Sequence, residues 1–348
     1  MDFTPTEEQQ AVRGLAVDLF ATASHPGLGV EGFDTELWAR LGEAGLLGLS
    51  VTEELGGGGL PLAVAAVVAE EAGRAAGRVP VVPVLAALPL LTDPALVAKA
   101  LTGTTVVVPA LGADGWTAGV TAARVAGGWE LTGTQLAVAW AREAEYAVVS
   151  GHAGDGTDVL VLLDLSTAGV TRKDEQVSSL EPHATLVLEA AVGTELATGR
   201  DALEDALARL TLLQCSYAVG VAEASLHLAA RHVSTREQFG KPLAAFQAIT
   251  YQVADCWIDV EAMRLTAQQA VWRLDQGLPA GEQTAIAAFW GAEGVQRVVG
   301  KAVHLHGGLG VDVSYGLHKW FLVGKVVELS LGGGQRQLER LGELIAAR

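Results

Sequence analysis

The chain holds only two cysteines, Cys215 and Cys256, in 348 residues. That is too few for a disulfide framework or a cysteine-rich zinc centre, and both read as buried small hydrophobes in a reducing cytoplasm. Basic residues are also scarce: 23 Lys+Arg against 40 Asp+Glu leave a net charge of −17. Such a field repels phosphate backbones and anionic lipid, which excludes nucleic acid and membranes as partners. No apolar run can span a bilayer, because the most apolar stretch, 79–91, is short and broken by Pro80, Pro83 and Pro89. The first ten residues are polar and acidic, so no secretory leader is expected. Charged residues make up only 18% and hydrophobic ones 50%, which rules out disorder and provides for a sizeable core.

At roughly 100–200 residues per domain, the length suggests two or three domains. Apolar residues recur at helical spacing to about residue 100, as in Val12, Leu15, Ala16 and Leu19. Between 104 and 191 the texture turns to short β-branched or alternating runs separated by Gly-Gly and Asp-Gly turns, the pattern of strands. Long helical patterns return over 201–233, 243–276, 281–305 and 318–346, as in an antiparallel bundle. The expected organisation is α+β: an N-terminal helical domain (1–102), a central β domain (103–192) and a C-terminal four-helix bundle (193–348). These segments carry −8, −7 and −2, so the near-neutral bundle is the better host for an anionic cofactor. The glycine run 56–59 is followed by no Lys-Ser/Thr and preceded by no strand, and reads as a loop. His304 and His306 lack a third ligand nearby, and no metal is expected.

Two stretches carry chemistry. One is Arg236-Glu237-Gln238-Phe239-Gly240-Lys241-Pro242, with Phe246-Gln247 and Ala254-Asp255 downstream. The other is His304-Leu305-His306-Gly307-Gly308-Leu309-Gly310, followed by Leu317-His318-Lys319. Arg236 can fork onto a pyrophosphate, and Gly307-Gly308 lets backbone N–H groups approach an anion without a Cβ in the way. Phe239 offers an apolar wall, and Gln247 can donate and accept at once. Singly, Arg236 reads as well as an ion-pair partner, Phe239 as a core aromatic and Gly307-Gly308 as a turn; their joint occurrence favours a dinucleotide site. With Glu53 to Leu60 and Glu70-Glu71-Ala72-Gly73-Arg74, these stretches resemble the acyl-CoA dehydrogenase family of flavoproteins over nearly the whole chain. The resemblance implies that family's fold and an oligomer in which the matching Arg, Phe, Gln and Gly-Gly contact FAD held mainly by the neighbouring subunit. It therefore assigns FAD contacts to Arg236, Phe239, Gln247, His304, Gly307 and Gly308.

The resemblance also exposes what is missing. Family members remove the α-proton of an acyl-CoA thioester with a Glu, and the matching position here is Leu331. The alternative position on the first bundle helix is Leu210, whose neighbours Ala208, Arg209 and Thr211 are not carboxylates either. Glu328 lies three residues before Leu331 and could share its helix face. The stretches expected to meet the chain's own flavin read Val107 to Asp114 and Val138-Ala139-Trp140, without the usual hydroxyls. Residues lent to a neighbour's FAD are kept, whereas those for the chain's own FAD and substrate are not. That asymmetry resembles the small subunit of actinobacterial α2β2 acyl-CoA dehydrogenases, including those that act on steroid side chains. It implies a cytoplasmic, non-catalytic subunit that completes an FAD site for a catalytic chain, with acyl-CoA or steroid-CoA substrates and an electron-transfer acceptor. The alternatives are a homo-oligomeric flavoenzyme of the same fold with altered chemistry, and a flavin-free structural partner.

Overall fold

The computed structural model describes residues 3–23, 32–112 and 119–347. Asp114, the end of the stretch that begins at Val107, lies outside them. The chain begins with helices α1 (Glu7–Phe20), α2 (Thr35–Glu43), α3 (Leu62–Ala75), α4 (Val81–Ala87) and α5 (Pro94–Leu101). Strands follow: β1 (Val107–Ala110), β2 (Thr121–Val125), β3 (Gly128–Ala139), β4 (Tyr146–Ala153), β5 (Asp158–Asp164), β6 (Val170–Gln176) and β7 (Pro182–Thr198). Helix α6 (Arg200–Thr235), the short β8 (Glu237–Gln238) and β9 (Lys241–Pro242), and helices α7 (Gln247–Asp275), α8 (Gly281–His306), α9 (Leu317–Ser330) and α10 (Gly333–Ala346) complete it. The α+β order of helices, strands and long helices is the one the sequence implies.

Two compact units are distinguishable. The strand-bearing unit comprises residues 31–61 and 78–210. Its sheet runs β1-β4-β2-β3-β7-β5, and β5 returns to pair with β4, closing the sheet on itself and removing most free edges. Leu131, Leu160, Leu163, Leu186 and Leu188 fill its interior. β6 pairs only with β7 and is exposed along most of its length. Its sequence, Val-Thr-Arg-Lys-Asp-Glu-Gln, has the charged character that protects an edge and hides the strand from hydrophobic pattern reading.

The helical unit comprises residues 1–30, 62–77 and 211–348. Helix α3 is held at three places within it. At its start, the Leu62 and Ala63 amides donate to Asp275 Oδ1 and Oδ2 at the end of α7 (2.8 and 2.9 Å), a capping carboxylate supplied from far along the chain. At its end, Lys319 Nζ and Trp320 Nε1 of α9 donate to the Ala75 and Arg74 carbonyls. In the middle it meets α6 backbone to backbone. A Cβ on Gly73 would lie 2.1 Å from the Tyr217 carbonyl oxygen, and one on Gly220 would lie 1.9 Å from that of Glu70. Only residues without a Cβ allow that approach.

Close packing at this crossing gathers three guanidiniums and three carboxylates. Arg74 binds Glu70 and Glu71 (both 2.9 Å) and Glu223. Arg264 binds Glu70 (2.5 Å) and Glu223 (2.9 Å), and Arg13 binds Glu71 (2.5 Å) and Glu70 (3.3 Å). Burial alone would raise the Glu223 carboxyl, but Arg74 and Arg264 more than reverse this and hold it below the usual carboxylate range. The stability it supplies is complete above its unfolded-state pKa and is lost as pH falls through its lower folded-state value.

The helix expected over 318–346 is instead two helices, parted after Leu331, because Gly332 and Gly333 take φ of +81° and +75° outside the right-handed helical region. The crossing yields a direct test. Gly220→Ala forces α3 and α6 apart and should destabilise the protein by about 1–3 kcal/mol. Alanine at Gly300, where nothing lies within 4 Å of the Cβ position, should be neutral or stabilising in the same thermal melt.

Candidate functional site

The residues singled out around Arg236 and Gly307 fall at one end of the helical unit. Helix α6 ends at Thr235, where the Arg236 amide donates to the His232 carbonyl (2.8 Å). The Arg236 side chain is exposed, and no carboxylate among the described residues pairs with it. The chain then turns between β8 and β9 through Phe239 (φ +54°) and Gly240 (φ +77°), the positive-φ pair of a tight hairpin. A phenylalanine rarely adopts this conformation, and here its side chain is 91% exposed. The core-aromatic reading of Phe239 is thereby excluded. Its ring stands edge-on to Phe246 at 6.1 Å, and Lys241 Nζ lies 4.2 Å from the Phe246 ring centre. Gln247 opens α7, is exposed, and donates to the Tyr251 hydroxyl.

Helix α8 supplies the other motif. His304 is exposed and His306 is buried. His306 Nδ1 lies 2.7 Å from the Ala302 carbonyl oxygen, which can only accept, so the ring hydrogen sits on Nδ1. Its Nε2 is buried without a hydrogen-bond partner among the described residues. The His306 ring stacks on His232 at 4.2 Å with 25° between the planes. Gly307 follows with φ +59°, and nothing lies within 4 Å of a Cβ position on Gly307 or Gly308, so this turn presents open backbone. Ala229 and Val233 of α6, Ala302 and Leu305 of α8, and Leu317 of α9 form the core beneath, which fixes Arg236 and Gly307 to the same end.

Phe239 and Gln247 join that end through Phe246. A forked cation, two open glycines, an exposed aromatic and an amide form a donor set suited to a pyrophosphate flanked by an adenosine. His232 carries no motif signal in the sequence; only the fold, by stacking it on His306, brings it in. Burial, then His306 and Arg236, hold its imidazole below the usual histidine range.

Leu331 caps α9 and is 3% exposed. A Cβ on Gly291 would lie 2.9 Å from Leu331 Cδ1 and 3.4 Å from Cys215 Sγ, so the three pack as one apolar contact. Burial pushes the Cys215 thiol up, far from ionisation at neutral pH. Glu328 is paired with Lys325, and Leu210 is half-buried and apolar. In the strand-bearing unit, β1 is buried throughout and the Gly112 amide donates to Ser150 Oγ (2.8 Å). Trp140, with φ +63° and 2% exposure, packs edge-on to Phe33 at 5.6 Å. Its role there is packing. Leu331→Glu should therefore cost at least about 2 kcal/mol in a denaturant melt by burying an unpaired carboxyl beside Gly291 and Cys215, and should yield no acyl-CoA turnover.

Comparison with known proteins places this geometry in a family. Residues 6–97 match the model described as acyl-CoA dehydrogenase, N-terminal domain, and residues 197–346 that described as acyl-CoA dehydrogenase, C-terminal domain. The chain is 33% identical to acyl-CoA dehydrogenase FadE27 of Mycobacterium tuberculosis, over 99% of each chain. Among solved structures it resembles a steroid ACAD described as Tcur3481-Tcur3483 (35% identity, 99% of each chain, TM-score 0.93). It also resembles a chain of the ChsE4-ChsE5 complex from Mycobacterium tuberculosis (32%, 100% of each chain, TM-score 0.93). With helical N- and C-terminal domains around a central β domain, this chain belongs to the acyl-CoA dehydrogenase family and has its fold.

Proposed function

We propose that this chain is the non-catalytic subunit of a two-chain, α2β2 acyl-CoA dehydrogenase and completes an FAD site held mainly by its catalytic partner. The observation that carries this reading is an asymmetry. The position matched to the family's base, Leu331, is sealed in apolar packing, while Arg236, Phe239, Gln247, His304, Gly307 and Gly308 are exposed at one end of the helical unit. A phenylalanine held in an unfavourable backbone conformation and almost wholly exposed serves something outside its own chain. That two similar solved structures are described as paired proteins, one of them a steroid ACAD, supports a partner chain and a steroid-CoA among the substrates.

In this reading Arg236 and the Gly307-Gly308 amides would hold the FAD pyrophosphate. Phe239 walls the adenosine, and Gln247 hydrogen-bonds its polar edge. His304 lines the approach. When bound, FAD supplies the acceptor for the hydride that leaves the acyl β-carbon. This chain contributes no proton transfer, since Leu331 has no proton to exchange and Glu328 is held by Lys325. The α-proton would pass to a carboxylate of the partner, and an electron-transfer acceptor would serve the complex.

Purified alone, the chain should be colourless; purified with the acyl-CoA dehydrogenase chain encoded beside it, the complex should carry flavin absorbance and desaturate an acyl-CoA. One FAD per chain without any partner would sink the half-site reading in favour of a homo-oligomeric flavoenzyme, and full FAD content and activity in the catalytic chain purified without this one would leave this chain a structural partner only. Within the complex, Arg236→Ala should weaken FAD roughly tenfold to a hundredfold, as loss of a charge-assisted pair implies. Unchanged FAD retention on gel filtration would refute the role given to Arg236.

A further inference from the structure

The half-site reading leaves one pair of side chains unused. His232 and His306 stack at 4.2 Å directly beneath the two candidate anion contacts. His232 lies one helical turn before Arg236, whose amide donates to its carbonyl, and His306 immediately precedes Gly307. The stack therefore links the α6 end that carries the guanidinium to the α8 end that carries the open glycine turn.

The two rings are not equivalent. His306 is 5% exposed, its Nδ1–H is committed to the Ala302 carbonyl, and its Nε2 is buried with no partner. His232 is only half-buried, so its ring reaches solvent and can exchange a proton. The groups that face the pair are Arg236 beyond α6 and Tyr315 before α9, whose ring lies 5.3 Å from His306. The cluster behind it receives apolar Leu243, Ala244, Ile249 and Val253 from the segment after β9 and from α7.

Burial, His306 and then Arg236, one helical turn on, oppose a charge on His232, and an anion seated on Arg236 offsets the last of these. We propose that His232 is a positioning residue that takes up one proton when a pyrophosphate-class anion binds Arg236 and the Gly307-Gly308 turn, with the stacked His306 ring holding it in place. The inference rests on the half-site reading. In the ligand-free protein, burial and the neighbouring His306 and Arg236 favour the neutral form of His232, so near neutral pH the proton arrives with the anion.

The test is calorimetric titration of FAD into the flavin-stripped complex at about pH 7, in two buffers of different ionisation enthalpy, which counts protons taken up. The native complex should take up a substantial fraction of one proton. His232→Phe keeps a stacked ring but cannot titrate. It should bind FAD within about threefold of native while its proton uptake falls to near zero. His232→Ala removes the stack and should bind at least about tenfold more weakly. Uptake unchanged in His232→Phe, no uptake in the native complex, or native affinity in His232→Ala would each overturn the inference while leaving Arg236 in place. Native affinity in Arg236→Ala would overturn the half-site reading and this inference with it. If His232→Ala fails to assemble, the proton count of His232→Phe decides alone.

Discussion

The helical unit depends on two backbones being allowed to touch. Gly73 and Gly220 each face a carbonyl of the opposite helix, and this contact brings Glu70, Glu71 and Arg74 of α3 against Glu223 of α6 and Arg264 of α7. With Arg13 of α1, six charges that would be expensive to bury singly neutralise one another there. The consequence is orientation as much as stability. α6, anchored at its middle, carries His232 and Arg236 at its far end, while α7 and α9 are tied to the two ends of α3 by Asp275, Lys319 and Trp320. The candidate site is thus assembled on long helices whose relative placement is set by interactions remote from it.

Much of this was legible in the sequence, for reasons that can be named. The order of helices, strands and long helices follows from apolar periodicity, and the residues around Arg236 and Gly307 announce themselves by side-chain type. Other features were silent. β6 is charged along its length because it is an edge. The break between α9 and α10 rests on two positive-φ glycines within a helical pattern. Of the motif residues, Glu70, Glu71, Gly73, Arg74 and Lys319 prove to hold the helices together, a role that no local pattern distinguishes from ligand binding. His232 was invisible, since its importance lies in a ring stack with a residue 74 positions away.

The physical account of function turns on where polar groups were retained and where they were not. Behind Leu331, the space a carboxylate would need is filled by Gly291 and Cys215, an environment that favours no ionised group. At the α6–α8 end, by contrast, a guanidinium without a carboxylate partner, an exposed aromatic and an open glycine turn remain together, which costs solubility and strain unless something covers them. Membership in the acyl-CoA dehydrogenase family supplies a chemistry in which such a half-site would have a use, and in the proposed complex the second chain would supply the rest.

The most direct measurement of that claim is a cryo-electron-microscopy structure of the complex with its partner and FAD. The account predicts an FAD whose pyrophosphate lies within hydrogen-bonding distance of Arg236 and the Gly307-Gly308 amides of this chain, with the isoalloxazine ring and the catalytic carboxylate in the partner. An FAD bound wholly within either chain, with Arg236 and Phe239 facing solvent, would contradict it.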